Sequence, residues 1–233
     1  ILLEAGHIGW GSSARNAGFC CISPTKLSIH KMKKLYGIEE TKKFYATTIE
    51  GSHYTKELIE NYNINCDVTG DCNFEVAHHP SFFESIKEEA EIYSKEFGIE
   101  TQIFTKDEFN EIGHGGNEQF GAFSYKPGFA INPLKFQLGL AKEAQNSGVK
   151  IFENSPVIKI EKQSNKYKVI TNHSSVITDK IVMTTNGFYK DDLIPQLNDR
   201  ILPVISNIIV TRPLTQEELV LQNYKTINPV LNS

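Results

Sequence analysis

The chain has 233 residues, 39% hydrophobic and 22% charged, an ordinary globular balance that excludes disorder and collagen-like repeats and suffices for a core without a metal or disulfide staple. Lys and Arg total 24 against 28 Asp and Glu, a formal charge of −4, and the basic residues are scattered, so nucleic acid is not an expected partner. The longest apolar stretches, such as Ile205 to Val210 with its Ser206-Asn207 interruption, fall far short of the ~20 residues of a membrane-spanning helix, so no integral membrane segment is expected.

The chain opens inside an apolar run, Ile1-Leu2-Leu3, and closes without a polar ending, so it reads as a portion of a longer protein, cut at both ends. Ile1 to Ala5 predicts a short strand, followed by a glycine- and serine-rich stretch from Gly6 to Gly18. Gly37 to Tyr62 predicts a helix whose buried stripe is Phe44, Thr48, Gly51, Thr55, Leu58 and Tyr62, while Lys31, Lys33 and Lys34 ahead of it read as a solvated face. Cys66 to Val76 reads as extended. Pro80 opens a clearer helix on Phe83, Ile86, Ala90, Tyr93 and Phe97, closed by Gly98. A short helix near Lys106 to Glu111 carries the capping-box pair Thr105 and Glu108.

After the loop Gly113 to Gly121, Ala122 to Ile131 reads as a strand pair broken at Lys126-Pro127-Gly128. Asn132 then caps a helix with Pro133 at its first position and Leu134, Leu138, Ala141 and Ala144 as its buried stripe. Strands are expected at Val149 to Phe152, Pro156 to Glu161, Tyr167 to Thr171 and Val176 to Thr178, and at Ile181-Val182-Met183, which reads as buried on both faces. Thr184 to Gly187 forms a turn, Ile201 to Thr211 a further extended segment, and Gln216 to Leu221 a short helix.

Cys20, Cys21, Cys66 and Cys72 form no CxxC pair and have no His at zinc-ligand spacing. They read as structural thiols of a reducing compartment, the cytoplasm, with a Cys66–Cys72 bridge as the alternative. No metal site is expected: His78 and His79 are neighbours on an extended segment and point to opposite faces, and His114 reads as a loop histidine.

Two features point to chemistry. Glu4 ends the first strand, where a carboxylate can bind the ribose of a dinucleotide, although a solvated strand-end Glu explains it equally. Gly11-Ser12-Ser13-Ala14-Arg15-Asn16-Ala17-Gly18 places small residues, hydroxyls, backbone amides and a cation where a loop is expected to turn into a helix, an arrangement suited to phosphate; a polar surface turn is the alternative.

Leu3-Glu4-Ala5 with Ile8-Gly9-Trp10-Gly11-Ser12-Ser13-Ala14-Arg15-Asn16-Ala17-Gly18 resembles the second strand and flavin loop of FAD-dependent oxidoreductases of the D-amino-acid oxidase (DAO) type, nearest to the gamma-glutamylputrescine oxidoreductase-like enzymes. Their usual loop has glycine in place of Ala14 and Ala17. The resemblance extends from Phe120-Gly121-Ala122 through Ile131-Asn132-Pro133-Leu134-Lys135 and Val157 to Thr185-Asn186-Gly187, Leu202-Pro203-Val204 and Ile209 to Leu214.

It implies a mixed α/β fold: an FAD/NAD(P)-binding Rossmann-like domain formed by residues 1–65 and 130–185, lacking its first βα unit, with a partial substrate domain of residues 66–129 and 186–233. It implies FAD as cofactor, with Glu4 and Ala5 at the adenosine ribose, Gly11, Ser12, Ser13, Arg15, Asn16, Ala17 and Gly18 along the pyrophosphate and flavin side, Val157 meeting adenine through its backbone, and Thr185, Asn186 and Gly187 crossing beside the cofactor. The implied reaction passes hydride from the carbon beside an amine nitrogen to flavin N5, giving an imine that water hydrolyses, with oxygen or another acceptor reoxidising the flavin. The expected substrate is an amine or amino acid, of gamma-glutamylputrescine type. A hydroxy-acid or glycerol-phosphate dehydrogenase of the same fold, a non-catalytic remnant and NAD binding are the alternatives. No protein group is assigned to catalysis; Tyr125, Arg200 and Arg212 are candidate substrate contacts, each with a structural role as the alternative.

Overall fold

The computed structural model describes residues 1–22, 27–188, 193–204 and 206–232; Ile205, in the apolar stretch noted above, lies outside them. Its elements are β1 (Leu2–Leu3), β2 (Phe19–Cys20), α1 (Ile29–Asn61), β3 (Asn73–Val76), α2 (Pro80–Phe97), β4 (Glu100–Phe104), α3 (Lys106–Ile112), β5 (Ala122–Lys126), β6 (Phe129–Ala130), α4 (Pro133–Asn146), β7 (Ile151–Phe152), β8 (Val157–Gln163), β9 (Lys166–Thr171), β10 (Ser175–Thr178), α5 (Gln216–Leu221) and β11 (Val230–Asn232). This is a mixed α/β fold.

A four-stranded sheet, in the order β11-β3-β5-β4, forms the best-packed layer. Side chains alternate across it. Phe123 and Tyr125 face α2 and the start of α1, in a core with Ile29, Met32, Tyr45, Ile86, Ala90 and Tyr93. On the other face Phe74, Val76, Phe104 and Ala122 pack with Phe109 of α3. The ends of α2 follow from its sequence: Pro80 stands at the start, where its missing N–H is harmless, and Gly98 adopts the left-handed conformation (φ 66°) that closes it. The Thr105–Glu108 capping box of α3 forms as expected.

The remaining strands are held differently. β1 pairs in parallel with β7, β2 with β6 antiparallel, and β8-β9-β10 form a three-stranded meander. A third cluster, Ile59, Ile64, Cys66 and Phe129 with Phe136 and Leu140, joins the end of α1 to α4.

Several expectations are corrected. α1 begins at Ile29 and is broken at Gly37 (φ 80°, ψ 166°), a conformation that glycine alone adopts readily. Its buried residues after the break are Thr41, Tyr45, Ser52 and Ile59, while Gly51 and Tyr62 are exposed; small polar residues on the inner face displaced the apparent stripe. Lys33 is no solvated lysine: its Nζ lies 2.7 Å from Glu96 Oε1. The segment after Gly11 does not enter a helix but passes through β2 first. β4 and β11 were not anticipated, and the two strands flanking Lys126-Pro127-Gly128 belong to different sheets. No residue of α4 is fully buried; Leu134 and Leu138 are 44% and 48% exposed, and the helix packs through Phe136, Gly139 and Leu140 instead. Ile181-Val182-Met183 forms no strand, and Val182 is 83% exposed: no strand among the described residues pairs with this run. Residues 206–211 form no strand, so the expected extended segment is not seen as paired structure among the described residues.

Candidate functional site

The opening strand is anchored from far along the chain. Leu2 N–H donates to Lys150 O and Glu4 N–H to Phe152 O, each at 2.9 Å. The chain beyond β7 then clasps the following turn: Ser155 N–H donates to Glu4 O and Asn154 N–H to Gly6 O, both at 2.8 Å, and Glu153 Oε1 accepts Ile8 N–H at 2.6 Å. Glu4, half-buried, holds its own turn, its Oε1 accepting Gly6 N–H at 2.9 Å. Val157 opens β8 two residues past Ser155, pairing with Thr171 ahead of an irregularity at Lys159. Glu4, Ala5 and Val157 are thus brought to one end of the β1–β7 pair.

The loop that follows is shaped by glycines and one asparagine. Gly9 (φ 82°) lies against Leu134, so that a Cβ there would come within 2.5 Å of Leu134 Cδ1. Ala14 N–H donates to Gly11 O (3.3 Å) and Arg15 N–H to Ser12 O (3.2 Å), forming a tight turn. Asn16 closes it: Nδ2 donates to Ser12 O (2.9 Å) and Ser13 O (3.0 Å), and Oδ1 accepts Gly18 N–H (2.8 Å). Gly18, at φ 75°, is buried so tightly that a Cβ would stand 2.0 Å from Ile131 O. Ala14 and Ala17 have no positive φ, so alanine fits both positions without strain.

Gly11, Ser12, Ser13, Arg15, Asn16 and Ala17 are exposed, and nothing lies within 4 Å of a Cβ built at Gly11. Arg15 has no carboxylate partner among the described residues; its guanidinium carbon sits 4.3 Å from the centroid of the Trp10 ring. The loop therefore presents an open backbone, two hydroxyls and an uncompensated cation, a combination that attracts an anion.

Thr185, Asn186 and Gly187 form a separate turn, with Phe188 N–H donating to Thr185 O (2.9 Å), Asn186 at φ 53° and Gly187 facing Pro203. Among the described residues no hydrogen bond joins this turn to Glu4 or the Gly11–Gly18 loop. Of the candidate substrate contacts, Tyr125 is fully buried beneath α2, and Arg212 forms a two-pronged pair with Glu218 at 2.7 and 2.8 Å. His79 caps α2 and bonds Ser81 Oγ (2.8 Å), His78 stacks on Phe82, and His114 faces Tyr224. The four cysteines are free thiols, so the Cys66–Cys72 bridge is not formed; burial pushes Cys20 and Cys72 up to about 11.

Two participants escaped the sequence reading. Glu153 and Leu134 support the loop from 145 and 125 positions away, and no local spacing signals such contacts. A cavity of about 860 Å³ lies elsewhere, between α1 and the end of α2, lined by Lys42, Glu50, Tyr54, Glu57 and Phe97 among others. Beneath α2, burial and the neighbouring Glu89 raise the Glu75 carboxyl to about 7. No helix of the described residues is long and apolar enough to cross a membrane.

Known proteins resemble the chain along most of its length. The chain is 31% identical over 224 residues to a probable oxidoreductase OrdL of Haemophilus influenzae, covering 93% of this chain and 50% of that protein. It is 25% identical over 228 residues to the gamma-glutamylputrescine oxidoreductase of Escherichia coli, covering 96% and 52%. The chain thus spans about half the length of these curated relatives. In fold it is similar to the glycine oxidase of Geobacillus kaustophilus, with a TM-score of 0.61 at 17% identity over 79% of this chain and 48% of that one. The pattern of the FAD dependent oxidoreductase (DAO) family matches residues 1–232. With its strand-end carboxylate and open glycine–serine loop inside that match, the chain belongs to the DAO family of FAD-dependent oxidoreductases, whose cofactor is FAD.

Proposed function

We propose that the chain holds FAD along the Glu4 turn and the Gly11–Gly18 loop, and serves an enzyme oxidising the C–N bond of an amine or amino acid, with gamma-glutamylputrescine-like amines as the first substrates to try. The observation that carries the cofactor reading is the loop itself: an exposed turn with no side chain at Gly11, an Arg15 with no carboxylate partner among the described residues, and Asn16 tied inward so that it holds the shape of the turn. These residues fit an adenine dinucleotide. Glu4 Oε1 is engaged by Gly6 N–H, and its second oxygen is left to accept from a ribose hydroxyl, with Ala5 beside it. Ser12, Ser13 and Arg15 supply donors for the pyrophosphate, Gly18 and Ala17 let the chain pass close to the flavin side, and Val157 offers its backbone to adenine. Thr185, Asn186 and Gly187 complete the cofactor side.

When bound, the flavin accepts the hydride, so the protein's contribution is to place and polarise the reactants rather than to supply a nucleophile. The reoxidant is oxygen or another acceptor. In this reading residues 1–65 with 130–185 form the cofactor part and 66–129 with 186–233 the substrate part. α1 ties them together, packing on α2 near its start and against Phe129 near its end. The name of one relative, a gamma-glutamylputrescine oxidoreductase, supports an amine as the first substrate class to try. The four free thiols support a cytoplasmic setting.

The test is a titration of the purified protein with FAD, followed by anaerobic addition of amines, amino acids and hydroxy acids while the visible flavin band is recorded. Bleaching by an amine or amino acid alone is the expected result. Bleaching only by a hydroxy acid overturns the substrate class, and failure of this chain to bind FAD overturns the reading that it holds the cofactor by itself.

A further inference from the structure

We propose that Trp10 is a positioning residue: its indole forms a platform that holds the Arg15 guanidinium in place at the loop assigned above to the dinucleotide, an inference that rests on that assignment. The guanidinium carbon lies 4.3 Å from the ring centroid, within the range of a cation–π contact. A guanidinium carries its N–H donors in its plane, so stacking one face on an aromatic ring leaves the donor edge available to a phosphate oxygen. A carboxylate partner would occupy that edge instead, and Arg15 has none among the described residues.

The platform is itself fixed. The Trp10 backbone N–H donates to the His7 carbonyl at 2.9 Å, which fixes the main chain beneath the ring, and the indole covers Gly6 so closely that a Cβ there would meet Trp10 Cγ at 3.2 Å. Gly6 N–H in turn bonds Glu4 Oε1. A continuous set of contacts therefore runs from the carboxylate through Gly6 and Trp10 to Arg15, setting the spacing between the ribose-side acid and the pyrophosphate-side cation. Trp10 nevertheless remains 61% exposed, too open for a core residue. Its contacts come from a backbone turn and a cation.

Trp10 is the sole tryptophan, so its fluorescence reports on the stack directly. In the ligand-free protein, Arg15→Ala uncovers one face of the indole and is expected to raise acrylamide quenching about twofold; unchanged quenching would mean that the stack does not form, and would overturn the inference. FAD affinity is then measured for three forms by equilibrium titration. Trp10→Leu, which keeps apolar bulk but has no π face, is expected to weaken binding about three- to fivefold, whereas Trp10→Phe stays within about twofold of the unsubstituted protein. Equal affinity of all three forms, or equal loss in Leu and Phe variants, sinks the positioning role while leaving the cofactor assignment intact. Absence of FAD binding by the unsubstituted protein sinks both.

Discussion

The layer built on β3, β4, β5 and β11 and the region around β1, β7 and the Gly11–Gly18 loop are stabilised by different means. In the first, Tyr93, Phe123 and Tyr125 are wholly buried, and the Tyr93 ring meets the other two edge to face, with centroids 5.8 and 5.6 Å apart. In the second, hardly any side chain is buried, and the shape is kept by backbone pairing, by the Asn16 clasp and by the grip of residues 153–155 on the Glu4 turn. Apolar burial sets stability in one region, and hydrogen-bond geometry holds an open loop in the other. Substitutions in the first region are expected to unfold the protein, and those in the second to alter what it binds.

The largest effect should come from Phe123→Ala, which opens a cavity between α2 and the sheet and is expected to lower stability by about 3–5 kcal/mol in urea unfolding. A loss below about 1 kcal/mol would show that this layer is not the stabilising one. Next comes pH. The folded Glu75 carboxyl is raised from 4.5 to about 7 by burial and by Glu89, so the folded chain keeps a proton that the unfolded chain has released. Stability therefore falls as pH rises through that window and levels off above it, by roughly 3 kcal/mol at most. Glu75→Gln should flatten the urea midpoint against pH, leaving the shallower contribution of Glu89, whose carboxyl is also raised by burial.

Gly18→Ala places a methyl on Ile131 O at a positive φ and is expected to lose about 1–3 kcal/mol together with FAD affinity, the one change that should register in both regions. Asn132→Ala removes the cap that accepts Lys135 N–H at 3.1 Å and should cost about 1 kcal/mol, read as a lowered thermal midpoint. Leu138→Ala, on the uncovered face of α4, should stay within about 0.5 kcal/mol. A large loss there would mean that this leucine is covered in solution, and would erase the contrast.

What the sequence made legible follows the same division. α2, α3 and α4 were readable because their signals are local: Pro80 and Gly98, Thr105 with Glu108, Asn132 with Pro133. The loop was readable because glycines, serines and an arginine cluster within eight positions. β4 is not marked locally because Glu100-Thr101-Gln102-Ile103-Phe104 lacks clean alternation; it is held by pairing with β5 and by burial of Phe104. The buried face of α1 was misjudged because Thr41 and Ser52 occupy it, and apolarity does not mark them. The apolar run Ile181-Val182-Met183 showed the opposite error: its composition promises burial, but burial requires a partner. In the candidate site, residue type and position single out Glu4 and Arg15, whereas the grip of Glu153 on Ile8 depends on a fold that brings distant segments together.

That grip also orders events during synthesis. Leu2 and Leu3 pair with Ile151 and Phe152, so β1 gains its partner only after most of the intervening chain has emerged, and closing so long a loop is entropically slow. The α2-centred core obtains many of its contacts from nearer neighbours and can condense while β1 is still unpaired. A ribosome releasing this chain therefore exposes β3, β4 and β5 with α2 before β7 arrives to hold β1, and β11, which joins β3 at the edge of that sheet, comes last.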